Sequence, residues 1–389
     1  VFSQITSLGT LEKVNLLTDF SIEHQMKSVA IIDPIMLANG ALKEPSQFGK
    51  NATGVDIIVG EAQNLALDKN FGGPGLGVFA VRYNESNKTH IRQAPGRYIG
   101  KAKDLNGVDC KSIILSTREQ HIRREKATSN ICSNQSFVAT LAGANLLCWG
   151  SSGLSEKIQK SHKNLKQFIN EIQDLEGIRL AFCAPSINEI TLELDKNVSE
   201  LIERALKDNL EIGQDVSQRL GNSQKLKIFF NDNQSENDLM KLAQFFRDNF
   251  DTSENVLTLI PISEQLQRVH PTNFAQHDAQ EVVQYYQKLG KQNLSPDDGI
   301  YPLGSCTMKY NPYINDFCAS FKEFTTTHPQ SNLGHVQGNL EILFEIQEFF
   351  KNVTGLAGVT TQPVAGAQGE LVGLKLFQAY HHDLNEKRD

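Results

Sequence analysis

The stretch SVAIIDP, residues 28–34, indicates a buried strand that ends on the acidic side chain of Asp33. A second apolar run follows at residues 55–59. Both runs are rich in β-branched residues and are bounded by Asp, Pro, Gly and Asn, which is typical of buried parallel strands. Helical-looking segments precede and separate them. This alternation predicts an α/β layer architecture.

The patterns beyond these strands divide the chain into four predicted parts. We expect part of a large α/β domain at residues 1–132, a helix and a small α/β domain at 133–250, a linker at 251–277, and a second large-domain piece at 278–389. Residues 133–149 are mostly small or apolar, so a buried helix is expected there. The helix that follows carries an apolar face formed by Ile158, Leu165, Phe168, Ile169 and Ile172.

Composition excludes several classes of protein. The net charge of −7 argues against a nucleic-acid partner, because phosphate backbones are bound by clustered Lys and Arg. The six cysteines lack CxxC pairing, which favours a reducing compartment, and no metal site is expected. The apolar runs are too short to predict a membrane segment. The chain begins at Val1, so any targeting signal would lie upstream.

Small residues occupy a predicted helix start at residues 366–370, GAQGE. Without bulky side chains, the free amides of Gly366, Ala367, Gln368 and Gly369 can approach an anion, and the helix dipole adds to the attraction. The pattern therefore predicts a phosphate cradle. Taken alone the pattern is a weak signal, because small residues at a helix start more often form a tight turn.

A second motif, YPLGSCTMKYNP at residues 301–312, changes the meaning of that helix start. It is followed in order by His328-Pro329 and Gln337-Gly338, and the first half of the chain carries TREQHIRREKATSNICSNQ at residues 117–135. Together these elements resemble the glycine cleavage system P-protein family, as do Pro95-Gly96-Arg97 and residues 71–77. The GGPGLG turn at 72–77 lacks the spacing of a dinucleotide fingerprint.

The resemblance implies fold type I of the pyridoxal-phosphate-dependent transferases and the cofactor pyridoxal phosphate. It implies an oxidoreductase that releases CO2 from glycine and transfers the aminomethyl group to the lipoyl arm of the H-protein. The turn at Gly366–Gly369 would hold the cofactor phosphate. Further residues would lie near cofactor and substrate: Tyr301, Ser305, Cys306, Thr307 and His328.

The family consists of two similar halves, and the resemblance places residues 1–250 in the amino-terminal half and 260–389 at the opening of the catalytic half. Asp33 lies where the partner of the pyridine nitrogen would be, but Gln63 occupies the place of the Schiff-base lysine. Glutamine cannot form an imine, so the first half is expected to be non-catalytic. Lys69 is a displaced alternative. The catalytic lysine is expected beyond Asp389, which would leave this fragment inactive alone.

The resemblance also implies partners. These are the H-protein, the other half or subunit of the enzyme, and a dimeric or α2β2 assembly; the basic residues Arg118, Arg123, Arg124 and Lys126 are a candidate docking face. The expected location is the cytoplasm of a bacterium or the mitochondrial matrix of a eukaryote. Two alternatives stay open: another fold type I decarboxylase, and a non-catalytic scaffold fragment of the same enzyme.

Overall fold

The structure is a computed structural model of the 389-residue chain. It describes residues 1–94, 98–114, 125, 134–221, 223–254, 256–295, 299 and 311–386. Three sheets lie in these ranges, two of four strands and one of two.

The first sheet contains β1 (Phe2–Ser3), β2 (Val29–Ile32), β3 (Ile57–Glu61) and β4 (Gly77–Val81) in that order. β1, β2 and β3 pair in parallel, and β4 is antiparallel to β3. Helix α1 (Val14–Glu23) makes the crossover from β1 to β2. The predicted parallel strands are confirmed. β3 begins two residues later than predicted, because Val55 is buried in the core and its amide binds the Pro45 carbonyl at 3.2 Å.

A short helix and a hairpin follow. Helix α2 spans Lys88–Gln93, and strands β5 (Ile99–Lys103) and β6 (Asp109–Ile113) pair as an antiparallel ribbon. The Asp104 carboxylate accepts from the amides of Asn106 and Val108, both at 2.8 Å, and so closes the turn between them. Aspartate side chains commonly stabilise turns in this way, by accepting hydrogen bonds from backbone amides that follow them.

The next helix, α3 (Asn134–Ile172), is interrupted at Gly150, where φ is 61° and ψ is −175°. Its second part buries the predicted face: Ile158, Leu165, Phe168, Ile169 and Ile172. The expectation that residues 133–149 are fully buried was wrong. Val138 and Ala142 are buried, but Phe137 is 64% exposed, because apolar side chains surround this part of the helix while only one face packs.

Helix α3 also bears on the membrane expectation. Residues 136–172 are long and apolar enough to cross a membrane by length and composition, so the expectation that the apolar runs are too short was wrong for this helix. A single such helix is weak evidence, because a core helix of a soluble protein passes too. Leu165 and Phe168 pack in a protein core, as such a core helix does.

The small α/β part is built on an antiparallel sheet. Strands β7 (Ile178–Leu180), β8 (Glu189–Leu194), β9 (Gln214–Asp215) and β10 (Lys225–Phe229) pair in the order β7-β8-β10-β9. Helices α4 (Val198–Lys207) and α5 (Glu236–Asn249) complete it. Their apolar faces meet the sheet and α3 in one core centred on Phe168, Leu192, Leu226, Phe230 and Phe246. Strands and helices are thus mixed in this part.

Residues 251–277 connect two cores. Among the described residues of this segment, regular structure is limited to a 3-10 turn at Glu264–Leu266. Leu257 and Leu259 pack against the small α/β core, while Ile262 and Phe274 pack against a core of the first part. Each end of this segment therefore packs against a different core. Its role as a linker, like the four-part division, stays a prediction.

The last part is helical. Its helices are α6 (Ala279–Gly290), α7 (Tyr313–Ala319), α8 (Lys322–Thr325), α9 (Gln337–Thr354) and α10 (Gly366–Asp383). Asp278 caps α6 through its side chain, and α9 ends at Gly355 with a positive φ of 69°. No residue of α9 or α10 is buried by the described chain.

Candidate functional site

The first polar cluster lies where β2 and β3 end side by side. Asp33 follows β2 and caps the turn Pro34–Leu37, its Oδ1 accepting from the Ile35 amide at 3.2 Å. Asn64 follows β3, and its Nδ2 donates to the same Oδ1 at 3.0 Å. Parallel strands bring their carboxyl ends to one edge, which explains why residues 31 positions apart meet here.

Burial raises the pKa of Asp33 above its ordinary value of 3.8, although the hydrogen bonds from Asn64 and Ile35 oppose this. The negative charges of Glu189 and Glu61 raise that pKa further. A buried carboxylate favours its neutral form unless a cation lies nearby. Asn64 supplies an uncharged donor, so the anionic form of Asp33 is destabilised in the folded chain.

We expect Asp33→Asn to stabilise the chain at pH 7 by about 0.5–1 kcal/mol, because it removes the cost of a buried charge. The asparagine oxygen can still accept from Ile35 and Asn64, and asparagine is a good cap. Since the folded-state pKa is raised, the unmutated chain loses stability as pH rises from 3.8 through that pKa, and the gain should vanish below pH 3.8. Urea denaturation at several pH values measures this.

Asp56 provides the matched control with the opposite sign. Burial raises its pKa, but hydrogen bonds from Ser28, Asn87 and Lys27 and the charge of Lys27 outweigh burial and lower the pKa overall. Asp56→Asn should therefore cost about 1 kcal/mol at pH 7. That loss should shrink as the pH falls from 3.8 through the depressed folded-state pKa and vanish below it. Equal effects of the two substitutions would contradict this account.

Gln63 lies one residue before Asn64 and turns its side chain away from Asp33. Its Nε2 donates to the carbonyls of Asp68 at 3.0 Å and Lys69 at 3.4 Å. Its own amide donates to Glu61 Oε1 at 2.8 Å, which also accepts from the Leu76 amide. The side chain at the expected lysine position therefore holds the turn at residues 68–72.

His328 lies against that same turn. The Phe71 amide donates to the Thr327 carbonyl at 3.0 Å, and a Cβ on Gly72 would lie 3.4 Å from Pro329 Cγ. Partial burial and the positive charge of Lys69 lower the pKa of His328, while the Glu211 carboxylate opposes that effect. His328 Nδ1 accepts from the Gln330 amide at 3.0 Å. A neutral ring with this bond carries its proton on Nε2 and can donate it outward.

The predicted phosphate cradle forms the start of α10. The amides of Gln368 and Gly369 both bind the Ala365 carbonyl at 3.1 Å, and Gln368 Oε1 accepts from the Val364 amide. Among the described residues, no partner occupies the amides of Gly366 and Ala367. A Cβ on Gly366 or Gly369 would meet nothing within 4 Å. Free amides in open space at the start of an 18-residue helix suit an anion.

The structure brings only some predicted residues together. Asp33, Gln63 and His328 lie around the strand ends and the turn at 68–72, whereas no hydrogen bond or ion pair within the described ranges connects Gly366–Gly369 with them. Several predicted residues fall outside the described residues: Tyr301, Ser305, Cys306, Thr307, Lys309, Arg118, Arg123, Arg124 and Lys126. Residues 95–97 and most of 117–135 do as well.

A cavity of about 530 Å³ lies elsewhere, between α3 and residues 257–262. It is lined by His162, whose pKa is lowered by burial and whose Nδ1 lies 2.7 Å from the Ile187 carbonyl. None of the candidate site residues lines it. Its titratable lining residues are His162 and Lys166, and it does not reach the strand ends of the first sheet.

Comparisons with known proteins agree with the motif reading. A family model described as glycine cleavage system P-protein matches residues 1–246. Glycine dehydrogenase (decarboxylating) of Pelagibacter ubique is 30% identical over 372 residues, which cover 93% of this chain and 37% of that protein. The mitochondrial enzyme of Gallus gallus is 29% identical, with 94% of this chain and 36% of that protein covered. The chain thus spans little more than a third of these relatives' length.

A solved structure extends the comparison. The crystal structure of glycine decarboxylase (P-protein) of the glycine cleavage system, in inhibitor-bound form, is 29% identical with a TM-score of 0.56. The match covers 64% of this chain and 54% of that one. This likeness confirms the predicted fold class.

Proposed function

Because the chain belongs to the glycine cleavage system P-protein family, we propose that it is part of a pyridoxal-phosphate-dependent glycine decarboxylase. The observation that carries this proposal is the pair of free amides at Gly366 and Ala367, at the start of a helix that the family motif assigns to the cofactor phosphate. The proposed reaction releases CO2 from glycine and passes the aminomethyl group to the lipoyl arm of the H-protein. Such an enzyme is an oxidoreductase, because the lipoyl disulfide is reduced.

The residues at the start of α10 fit the phosphate of pyridoxal phosphate. The amides of Gly366 and Ala367 would donate to it, and the helix dipole would add to the attraction. When bound, the cofactor supplies an electron sink for the electrons left behind by CO2. His328 would offer a proton donor at Nε2. Tyr301, Ser305, Cys306 and Thr307 are proposed to complete the surroundings of cofactor and substrate.

The strand ends of the first half do not fit the cofactor. Gln63 cannot form an imine, and Oδ1 of Asp33 already accepts from Ile35 and Asn64. No catalytic step is assigned to this half. It is proposed to be the non-catalytic partner of a catalytic half whose lysine lies beyond residue 389.

The proposed partners follow from the family. They are glycine, the H-protein, and the other half or subunit of the enzyme, in a dimeric or α2β2 assembly. Arg118, Arg123, Arg124 and Lys126 are the candidate docking face for the acidic lipoyl carrier. The relatives include bacterial and mitochondrial enzymes, so the bacterial cytoplasm or the mitochondrial matrix is the proposed location.

Gln63 also supports the second candidate function, a non-catalytic scaffold fragment. Borohydride reduction of the purified chain with pyridoxal phosphate separates the two ideas. We expect no stable label, and exchange of the glycine carboxyl with bicarbonate only after a relative's remaining catalytic residues are added. Labelling at Lys69 or Lys309 would overturn the absence of a Schiff-base residue. Continued inactivity after that addition would favour the scaffold.

We expect Gly366→Val to weaken binding of pyridoxal phosphate about tenfold in this chain after a relative's remaining catalytic residues are added. The branched side chain would occupy the space in front of the free amides. Gly373→Val is the matched control, since it also faces open space but lies two turns further along α10. Cofactor titration by absorbance measures both. Unchanged affinity in the Gly366 variant would remove the cradle from the proposal.

A further inference from the structure

We propose that Gln63 is a positioning residue: its side-chain amide holds the turn at residues 68–72, and this turn fixes the backbone around His328. The non-catalytic half would thereby help to shape the catalytic half. The functional meaning of His328 rests on the proposed function. The contacts that connect Gln63 with Thr327 do not rest on the proposed function.

The backbone of the turn at residues 68–72 is strained, so this turn needs contacts that hold its conformation. Asn70 has a φ of 44° and Phe71 a φ of 50°, and Gly72 follows at 104°. Left-handed backbone is unfavourable for residues with a side chain, most of all for a bulky aromatic. Such strain persists only where surrounding contacts hold it. The two bonds from Gln63 Nε2 to the Asp68 and Lys69 carbonyls lie directly before these strained residues.

The strained conformation turns the Phe71 amide toward the later part of the chain. That amide donates to the Thr327 carbonyl at 3.0 Å, a contact across 256 positions, and Gly72 lies against Pro329. Thr325 Oγ1 lies 3.5 Å from Asp68 Oδ2. The turn therefore contacts the chain on both sides of His328.

A second support comes from the small α/β part. Gln214 Nε2 donates to Gln330 Oε1 at 3.3 Å, and His335 Nδ1 lies 2.9 Å from Glu211 Oε1. Both contacts are exposed, and exposed pairs contribute little to stability one by one. The less exposed contact is the backbone hydrogen bond from Phe71 to Thr327, since both residues are half-buried. Gln63 would stabilise that hydrogen bond by holding the turn that contains Phe71.

An amide suits this task better than the lysine that the catalytic half requires. Gln63 supplies two N–H donors in one plane to two neighbouring carbonyls, without placing a second positive charge near Lys69. A cation there would lower the pKa of His328 further. Glutamine in place of lysine at position 63 would thus remove the amine that forms the imine and supply an uncharged side chain that holds the turn.

Gln63→Met tests the proposal in the 389-residue chain, because methionine preserves the side chain's length and neutrality but removes its donors. Amide hydrogen exchange at Phe71 should become about tenfold faster. In histidine-labelled NMR spectra, assigned with His328→Gln, the pKa of His328 should rise toward its ordinary value as the ring moves from Lys69 into solvent. Glu211 would favour the same direction.

Gln267→Met is the matched control. Gln267 is exposed and its Nε2 donates to the Ile262 carbonyl at 3.0 Å, far along the chain from the turn. It should alter neither readout. If Gln63→Met fails to fold by circular dichroism, Gln63→Asn replaces it, since the shorter amide cannot reach the same carbonyls. Unchanged exchange at Phe71 and an unchanged pKa of His328 would overturn the proposal, and neither readout depends on cofactor or catalysis.

Discussion

Phe168→Ala is expected to lower the free energy of unfolding by about 3–5 kcal/mol, the usual cost of truncating a fully buried phenylalanine. Phe168 is 0% exposed, and its ring centroid lies 5.3 Å from that of Phe230 and 5.5 Å from that of Phe246. The substitution would remove the ring on which α3, the sheet and α5 converge. Urea denaturation followed by circular dichroism measures the loss.

The control for this prediction lies on the same helix. Phe137 is 64% exposed, so Phe137→Ala removes the same atoms without opening a cavity and should change the free energy of unfolding by less than about 0.5 kcal/mol. Similar losses in both variants would show that helix propensity, rather than packing, dominates.

Gly60→Ala is the second substitution with a large expected effect, a loss of about 2–3 kcal/mol. Gly60 lies in β3 opposite Ile32, and a Cβ there would be 2.2 Å from the Ile32 carbonyl oxygen. Backbone cannot yield as a flexible side chain can, so β2 and β3 must separate. That separation would displace Asp33 and Asn64, which immediately follow the two strands.

Gly77→Ala provides the comparison within the same sheet. Gly77 lies on the neighbouring strand β4, where a Cβ would meet nothing within 4 Å. Alanine should be tolerated there, and it also reduces the entropy of the unfolded chain. Thermal unfolding of the two variants, with the Asp33–Asn64 contact monitored by NMR, checks the prediction. Equal stability of both would mean that the sheet adapts at Gly60.

Local patterns predicted the elements whose signals are local. β2 was predicted because its apolar, β-branched residues are bounded by Asp33 and Pro34, and the buried face of α3 at 158–172 was predicted because its apolar residues recur at helical spacing. Strand β1 has two residues and leaves no measurable period. The burial of residues 133–149 was overestimated, because periodicity reports which residues are apolar and not which partner covers them.

The site divides in the same way. The family resemblance indicated Asp33 and Gln63, and the small residues of Gly366–Gly369 indicated the helix start. The partners of these residues were not foreseeable, since Asn64 reaches Asp33 across a strand pair and Phe71 reaches Thr327 through tertiary contact. Such contacts depend on side-chain direction after folding. The consecutive positive φ angles at Asn70 and Phe71 also have no signature in residue type, because phenylalanine disfavours that conformation.

The interruption of α3 at Gly150 has a mechanical consequence. Beyond it, residues 151–172 form a rod of roughly 30 Å. Leu154 and Ile158 belong to the core of the first part, whereas Leu165 and Phe168 belong to the small α/β core. One continuous helix segment therefore packs in both cores. The small α/β part cannot rotate relative to the first part without moving side chains of this helix in the other core. Any relative rotation must therefore displace either Leu154 and Ile158 or Leu165 and Phe168 from the core in which they pack.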